Sequence, residues 1–527
     1  MVRSRRVVRS RRVVKPKQAT PTWKLYNRPW YLKLIFGIGN YFKDVGIMIW
    51  NVIKAIPFKI WALILAIGHG FQGLWNRFKN GDWRTRMSYL IMGFGNYSRS
   101  PRQFLIGFLY LAVEIAYVLI LVLGGGPYLI KFGSLGTEIE HFGYDEMGEY
   151  VKIPGDNSLK ILIFSVFTIL LTIFFVAMYI QNTKSAYKAQ KTVESGKPLS
   201  TIRQQINYAL NDGYHTTILA LPIFGVLLIT VLPLISNILI AFTNYNFNNS
   251  PPAKLFTWTF EAFGKTFAGQ YGSLLWRTLG WTLVWAFFAT FTNFFFGMFL
   301  AMMINKKSIK MKVFWRTCFV IVIAVPDFVT LMLMSQFFSF APNEPKFTGA
   351  FNHIIHEWFH IQTENAGGVN WFGGEVWLAR MMVIIVNLWR GMPFTMLATM
   401  GILMNIPAEL YESSRIDGAG PVRRFVSITF PYIMFVMGPQ LITTFTGNIN
   451  NFNVIFFLTG GGPYKMGGYG ATNLLITWLF KITMQDTASA EYNVGSVIGI
   501  ITFIISAVLA LIVFNSSKSN KQEDTFQ

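Results

Sequence analysis

Pro407-Ala-Glu-Leu-Tyr-Glu-Ser-Ser-Arg-Ile-Asp-Gly-Ala-Gly-Pro-Val-Arg-Arg-Phe-Val-Ser-Ile-Thr-Phe-Pro431 is a charged, helix-prone insert between two long apolar runs. Its flanks decide the fold. Apolar runs near 104–123, 160–180, 217–243, 277–304, 313–338, 380–403, 432–457 and 493–514 are each long enough to cross the roughly 30 Å hydrocarbon layer as a helix. The chain therefore reads as an all-α polytopic membrane protein with about eight transmembrane helices. Only 13% of its residues are charged, too few for an ordinary soluble protein of this length.

Lys and Arg near span ends favour the cytoplasmic side, which orients the eight runs. The stretch before the first span is basic from Arg3, Arg5 and Arg6 through Arg99 and Arg102. The first hairpin loop carries Glu138, Glu140, Asp145, Glu146, Glu149 and Asp156 against Lys131 and Lys152, which places it outside. Lys184, Lys188, Lys191, Lys197 and Arg203 place the next loop inside, as do Lys306, Lys307, Lys310 and Lys312 after the fourth span. The same alternation puts 407–431 in the cytoplasm with Arg415, Arg423 and Arg424, and expects both termini there.

This divides the chain into a basic cytoplasmic N-terminal region at 1–103, two peripheral helices with a cytoplasmic linker at 104–210, a six-helix core at 211–516 and a cytoplasmic tail at 517–527. Within 30–75, Trp30, Tyr31, Leu34, Trp50 and Ile53 alternate with Lys33, Lys43, Asp44, Lys54 and Lys59. That pattern suits an interfacial or reentrant helix whose aromatics are buried among headgroups while its lysines stay wet. No compact apolar signal with a small-residue cleavage site begins the chain, so a removed signal peptide is not expected. The net charge of +22 fits anionic lipid as the partner of the basic flank, and nucleic acid is not expected. Cys318 alone excludes an internal disulfide framework.

His356-Glu357-Trp358-Phe359-His360 matches the His-Glu-x-x-His pattern, which on a helix presents two zinc ligands and a general base. A third ligand is only nominally available in Glu364 or Glu375, so an aromatic extracellular cap without metal is the preferred reading. No Gly-x-x-x-x-Gly-Lys-Ser/Thr phosphate loop occurs. The chain is expected to be no enzyme and to bind no cofactor; if ATP drives it, ATP and Mg are used by another chain.

Glu409–Arg415 consists of good helix formers, and Asp417-Gly418 is a termination signal. Gly418 tolerates left-handed backbone and Pro421 suits a first helical turn. Two short helices meeting at a tight bend are expected, either as a routine amphipathic connector or as a rigid elbow that transmits force. Farther on, Thr444, Asn448 and Asn451 at i, i+4 and i+7 would share one face if a single helix carries them. Amides there either tie helices together or line an inward-facing cavity, since unpaired Asn is costly in lipid.

Glu412-Ser413-Ser414, three residues, Gly418, nine residues and Ile428-Thr-Phe-Pro431 resembles the Glu-Ala-Ala…Gly…Ile-x-Leu-Pro signature of permease subunits in binding-protein-dependent ABC importers. Ser413 and Ser414 replace the two alanines, and Phe430 the leucine. Asn387-Leu-Trp-Arg-Gly-Met-Pro-Phe394 and Asn448-Ile-Asn-Asn-Phe-Asn-Val-Ile-Phe-Phe-Leu-Thr-Gly-Gly-Gly-Pro463 are similar to the maltose/maltodextrin permease subunits, and the likeness runs over roughly 210–515. With only a modest loop at 244–276, the chain looks like the Gram-positive type.

The resemblance implies a type I ABC importer permease fold in a bacterial cell membrane. It also implies a second homologous permease subunit, two ATPase subunits, an extracellular sugar-binding lipoprotein and an oligosaccharide substrate. Carried onto this sequence, the ATPase contact comprises Ala408, Leu410, Tyr411, Glu412, Ser413, Ser414, Ile416, Asp417, Gly418 and Ala419. The sugar site comprises Arg390, Gly391, Phe394, Thr444, Gly447, Asn448 and Asn451, with Arg390 either binding hydroxyls or snorkelling to the outer boundary. An ion-coupled carrier and a non-transporting scaffold are the competing classes. The carrier lacks a persuasive acidic pair, since Glu114 lies in the peripheral first span and Asp327 is alone in the fifth.

Overall fold

The computed structural model describes residues 68–144, 149–306, 308–341, 349–360, 368–464, 469–485 and 489–516, together with scattered positions between 54 and 66. The expectations for 1–53 and for the tail at 517–527 lie outside these residues. The chain divides into two units, Met1–Gly73 and Leu74–Gln527. The described positions of the first are helical and carry exposed Phe58, Trp61, Leu65 and Phe71.

In the second unit every apolar run becomes helix, making the chain a polytopic, mostly α-helical membrane protein. The long helices are α1 (Pro101–Lys131), α2 (Ser158–Glu194), α3 (Ile218–Ile240), α4 (Gly272–Asn305), α7 (Val376–Met404), α9 (Pro421–Ile449) and α11 (Tyr492–Ser516). Between α4 and α7, α5 (Lys312–Ala324) and α6 (Asp327–Phe337) form one run bent by 96°. The bend has a local cause: Pro326 has no N–H to continue the helix and drives Val325 into extended backbone. Two short helices flank α9 in sequence, α8 (Ala408–Ile416) and α10 (Phe452–Thr459).

Strand structure was not expected, yet the loop between α1 and α2 forms an antiparallel hairpin, β1 (His141–Tyr144) with β2 (Tyr150–Ile153). The charges counted there are partly paired: Lys131 Nζ lies 2.6 Å from Asp156, and Lys152 pairs with Glu140.

The main core sits where α4, α6, α7 and α10 meet, around Trp281, Trp285, Leu331, Val383, Val386, Val454 and Ile455. A second core, Phe294, Met298, Ile402, Ile433 and Met437, joins α4, α7 and α9. α4 and α7 approach closely because two glycines meet neighbouring atoms there. A Cβ on Gly297 would stand 2.8 Å from Met392 O, and one on Gly391 would stand 2.4 Å from Asn293 Nδ2.

Residues 76–103 form a polar knot on the lower half of α2. Asp82 caps the short helix Trp83–Met87 by accepting from Thr85 N, and it accepts two bonds from the Arg99 guanidinium. Gln190 of α2 accepts from Asp82 N at 3.0 Å and Thr85 Oγ1 at 2.9 Å, and Asn182 of α2 bonds Gly93 N and Ser88 O. The Arg99 bonds hold the Asp82 carboxyl well below the usual carboxylate range against an opposing push from partial burial.

Candidate functional site

The elbow at 407–431 is built by its own backbone. α8 ends at Ile416, with Asp417 N donating to Ser413 O and Ala419 N to Ser414 O. Gly418 adopts φ +71°, the left-handed backbone that lets the chain reverse. Its missing Cβ would meet nothing within 4 Å, so the constraint on this position is conformational and not steric. Pro421 then opens the following helix, as expected. That helix does not end in a second turn: it runs through a π-helical turn at Phe425–Thr429 directly into the membrane run as α9. The expected pair of separate short helices is thus one short helix hinged to a long one.

Tyr411 OH and Thr429 Oγ1 are 2.9 Å apart, a brace across the bend. Tyr411 and Ser414 are half-buried inside the elbow, whereas Ala408, Leu410, Glu412, Ser413, Asp417 and Gly418 are exposed. Ile416 is 88% exposed, an apolar side chain with nothing of this chain to cover it. Glu412 has no ion-pair partner among the described residues.

The seven residues expected around a sugar fall into two groups. Arg390 is ion-paired with Asp327 at the start of α6. It lies fourteen residues into α7, about 21 Å along the helix, too far for its side chain to snorkel to that end. Asp327, read from the sequence as solitary, has a partner on α7. Gly391 packs against Asn293, as described above. Asn448 is buried; its Nδ2 donates to Thr290 Oγ1 at 3.0 Å, and its backbone carbonyl accepts from Trp285 Nε1 at 3.1 Å.

The expectation of one continuous face fails at Asn451. α9 stops at Ile449 and the run 432–457 is broken there, because Asn451 takes extended backbone and its side chain accepts from Val454 N to cap α10. Asn451 Nδ2 also donates to Asn448 Oδ1 at 3.3 Å. Arg390, Gly391, Asn448 and Asn451 therefore make internal contacts in this structure. Phe394, Thr444 and Gly447 are exposed, and open space surrounds the position of a Gly447 Cβ. Beyond Asn451, α10 ends in left-handed backbone at Gly460 and Gly461.

The His-Glu-x-x-His spacing does not survive as a helical face. The helix Ala350–Phe359 ends before His360, which takes φ 51°, so the two imidazoles are not successive ligands on one helix. Glu364 lies outside the described residues, and Glu375 flanks the start of α7. Among the described residues no group of three His, Cys, Asp or Glu side chains is placed to hold a metal. A cavity of about 1000 Å3, lined by Leu105, Ser185, Lys188 and Gln205 among others, lies by the first two long helices and touches none of the expected site residues.

Sequence comparison places this architecture. Residues 293–518 match the model of the binding-protein-dependent transport system inner membrane component. The chain is 32% identical over 402 residues to the galactooligosaccharides transport system permease protein GanP of Bacillus subtilis, covering 76% of this chain and 92% of the relative. It is 30% identical over 429 residues to the maltodextrin transport system permease protein MalC of Streptococcus pneumoniae, covering 79% and 92%. The maltose/maltodextrin transport system permease protein MalF of Escherichia coli matches at 30% over only 45% of this chain and 44% of its own length. The chain belongs to the family of binding-protein-dependent transport system inner membrane components.

Proposed function

We propose that this chain is the permease subunit of an ATP-driven importer for malto-oligosaccharides or similar linear oligosaccharides. The observation that carries the reading is the likeness to permeases named for galactooligosaccharides and maltodextrin over 92% of their length. The chain pairs with a second, homologous permease in the bacterial cell membrane, both its termini in the cytoplasm. It receives sugar from an extracellular binding lipoprotein and moves with two ATPase subunits, which use ATP and Mg.

Force enters through α8. Exposed Glu412 offers a carboxylate to a basic or polar group of the ATPase, and the exposed Leu410 and Ile416 side chains offer the apolar part of the contact. The Tyr411–Thr429 brace and the unbroken passage from Pro421 into α9 suit this role, since a stiff lever passes displacement on while a slack loop absorbs it. In the sugar path, Phe394 supplies an apolar face for ring C–H groups, and Thr444 a hydroxyl partner. Gly447 leaves room for the chain. Asn448 and Asn451, which hold each other and Thr290 here, exchange these bonds for sugar hydroxyls in the loaded state.

The test is ATPase activity in vesicles containing this chain with its partner permease and ATPase subunits, with and without the binding protein and candidate sugars. Stimulation by maltodextrin or galactooligosaccharide, accompanied by uptake of the labelled sugar, is expected. ATP hydrolysis indifferent to every oligosaccharide and to the binding protein would overturn the assignment.

A further inference from the structure

At the ends of α4 and α7 remote from the elbow, the segment 469–473 folds over the helices and lines a half-open cavity of about 310 Å3. Arg277 of α4, Arg380 of α7, Trp281, Tyr469 and Asn473 line it. Arg380 is held in place twice. Its Nε donates to Ala471 O at 3.0 Å, and its guanidinium lies 4.4 Å from the centroid of the Trp281 ring. Trp281 is itself fixed, donating from Nε1 to Thr472 O at 3.1 Å.

These contacts orient one planar guanidinium but leave its terminal nitrogens without a hydrogen bond among the described residues. Arg277, on the same cavity, makes no ion pair there either. Arg277 is exposed, and Arg380 is the one of the two whose guanidinium is fixed by the fold. Two cations around one small cavity repel each other, and one aromatic face offsets that only for Arg380. An anion would relieve that repulsion, and a carboxylate matches the guanidinium fork with two parallel hydrogen bonds.

The remaining wall is richer than a bare carboxylate requires. Asn473 is only 4% exposed, with its Oδ1 against Gly461 and its Nδ2 beside Gly470 of the cavity wall, while Tyr469 adds an aromatic ring and a hydroxyl. An amide, a phenol and two guanidiniums are the donors and acceptors that ring hydroxyls use. The volume lies at the small end of the range for small-molecule sites, enough for one unit and not for a chain.

We propose that this cavity is a binding site for a single acidic saccharide unit, a uronate whose carboxylate is clamped by Arg277 and Arg380 and whose hydroxyls meet Asn473 and Tyr469. It is distinct from the residues placed on the transport path, lying at the opposite end of α4 and α7 from the elbow. It widens the sugars that the protein recognises to acidic ones.

The test reads binding and not uptake, so it stands apart from the transport reading. Full-length protein in lipid nanodiscs is dialysed against labelled glucuronate, glucose and N-acetyl-aspartate amide. Glucuronate is expected to bind, to weaken as salt is raised, and to exceed glucose by at least about tenfold, the loss that follows from one missing charge-assisted hydrogen bond. Arg277→Gln and Arg380→Gln should each weaken glucuronate by about the same factor. Because Arg380 also secures Ala471, the decisive variant is Arg277→Gln, since Arg277 is exposed and makes no ion pair among the described residues. Glucuronate binding that is absent, equal to that of glucose, or unchanged in Arg277→Gln overturns the proposal. N-acetyl-aspartate amide binding as tightly as glucuronate would assign the cavity to an acidic protein side chain and overturn the saccharide assignment.

Discussion

Arg390→Met removes the partner of Asp327 inside the helix bundle, and its cost can be worked from the geometry. Breaking a fully buried ion pair costs about 3–5 kcal/mol because the surviving charge is left uncompensated, whereas an exposed pair is worth about 0–1 kcal/mol. Here the Arg390 side chain is 21% exposed and that of Asp327 40%, between these limits. A loss of about 2 kcal/mol follows, roughly thirtyfold in the folding equilibrium. The position of Asp327 at the first turn of α6 limits the loss, since the N-terminal end of the helix dipole favours a carboxylate. Replacing both partners, Asp327→Leu with Arg390→Met, leaves no orphaned charge and should return stability to within about 1 kcal/mol of the parent. The assay is a double-mutant cycle on detergent-purified protein, following unfolding by tryptophan fluorescence for the four proteins. Additive losses, with a coupling below about 0.5 kcal/mol, would refute the view that this pair pins the start of α6 to α7.

Asn451→Ala should destabilise α10 by about 1 kcal/mol through loss of its cap, with Asn451→Ser retaining most of it; amide exchange at Val454 measures both. Gly418→Ala forces a side chain into left-handed backbone at a cost of about 1 kcal/mol. Gly418→Asp should leave membrane insertion intact while separating ATP hydrolysis from uptake, and normal uptake in that variant would remove Gly418 from the coupling elbow. The depressed pKa of Asp82 gives a sign for pH. Its contribution is complete above the ordinary carboxylate pKa near 3.9, and it is lost as pH falls through the depressed folded value. Exchange protection of Thr85 N should therefore begin to fall only below about pH 4, by an amount worth about 1 kcal/mol given the partial exposure of Asp82. Asp82→Asn should show weaker protection at neutral pH and no such decline.

The eight membrane runs were legible because hydropathy is a local property, and so was Gly418, whose backbone need is set by its immediate neighbours. The break at Asn451 also has a local signal: an Asn directly before the apolar Phe452–Leu458 marks a helix start, which overrides the i, i+4, i+7 spacing. The Pro326 bend carried an equally local signal, though its angle did not. The Arg390–Asp327 pair spans 63 positions, and Gln190 meets Asp82 across 108. No spacing rule reaches so far; such contacts follow from how the helices pack, and packing depends on details such as Gly391 admitting Asn293. The N-terminal knot was missed for the same reason, since its Asn, Gln and Ser residues look like solvated loop until α2 is laid beside them.

The same contacts say how a push at the elbow would be distributed. α9 runs 28 residue steps from Pro421 to Ile449, about 42 Å as a helix, with no break except the single π-helical turn at its base. Near its far end Asn448 is tied to Thr290 of α4, and Asn451 just beyond caps α10, so a displacement of α9 must stretch these polar ties or carry α4 and α10 along. α4 also packs closely along α7, and α7 leads through Asn405–Pro407 back into α8. The elbow thus meets the core by two helices that converge on α4. A displacement of α9 relative to α4 alters the Asn448–Thr290 contact, and one of α7 relative to α6 alters the Arg390–Asp327 pair. On the proposed reading, the polar ties that hold the present arrangement are the ones whose exchange lets sugar pass, and variants that weaken them should raise basal ATP hydrolysis before they abolish uptake.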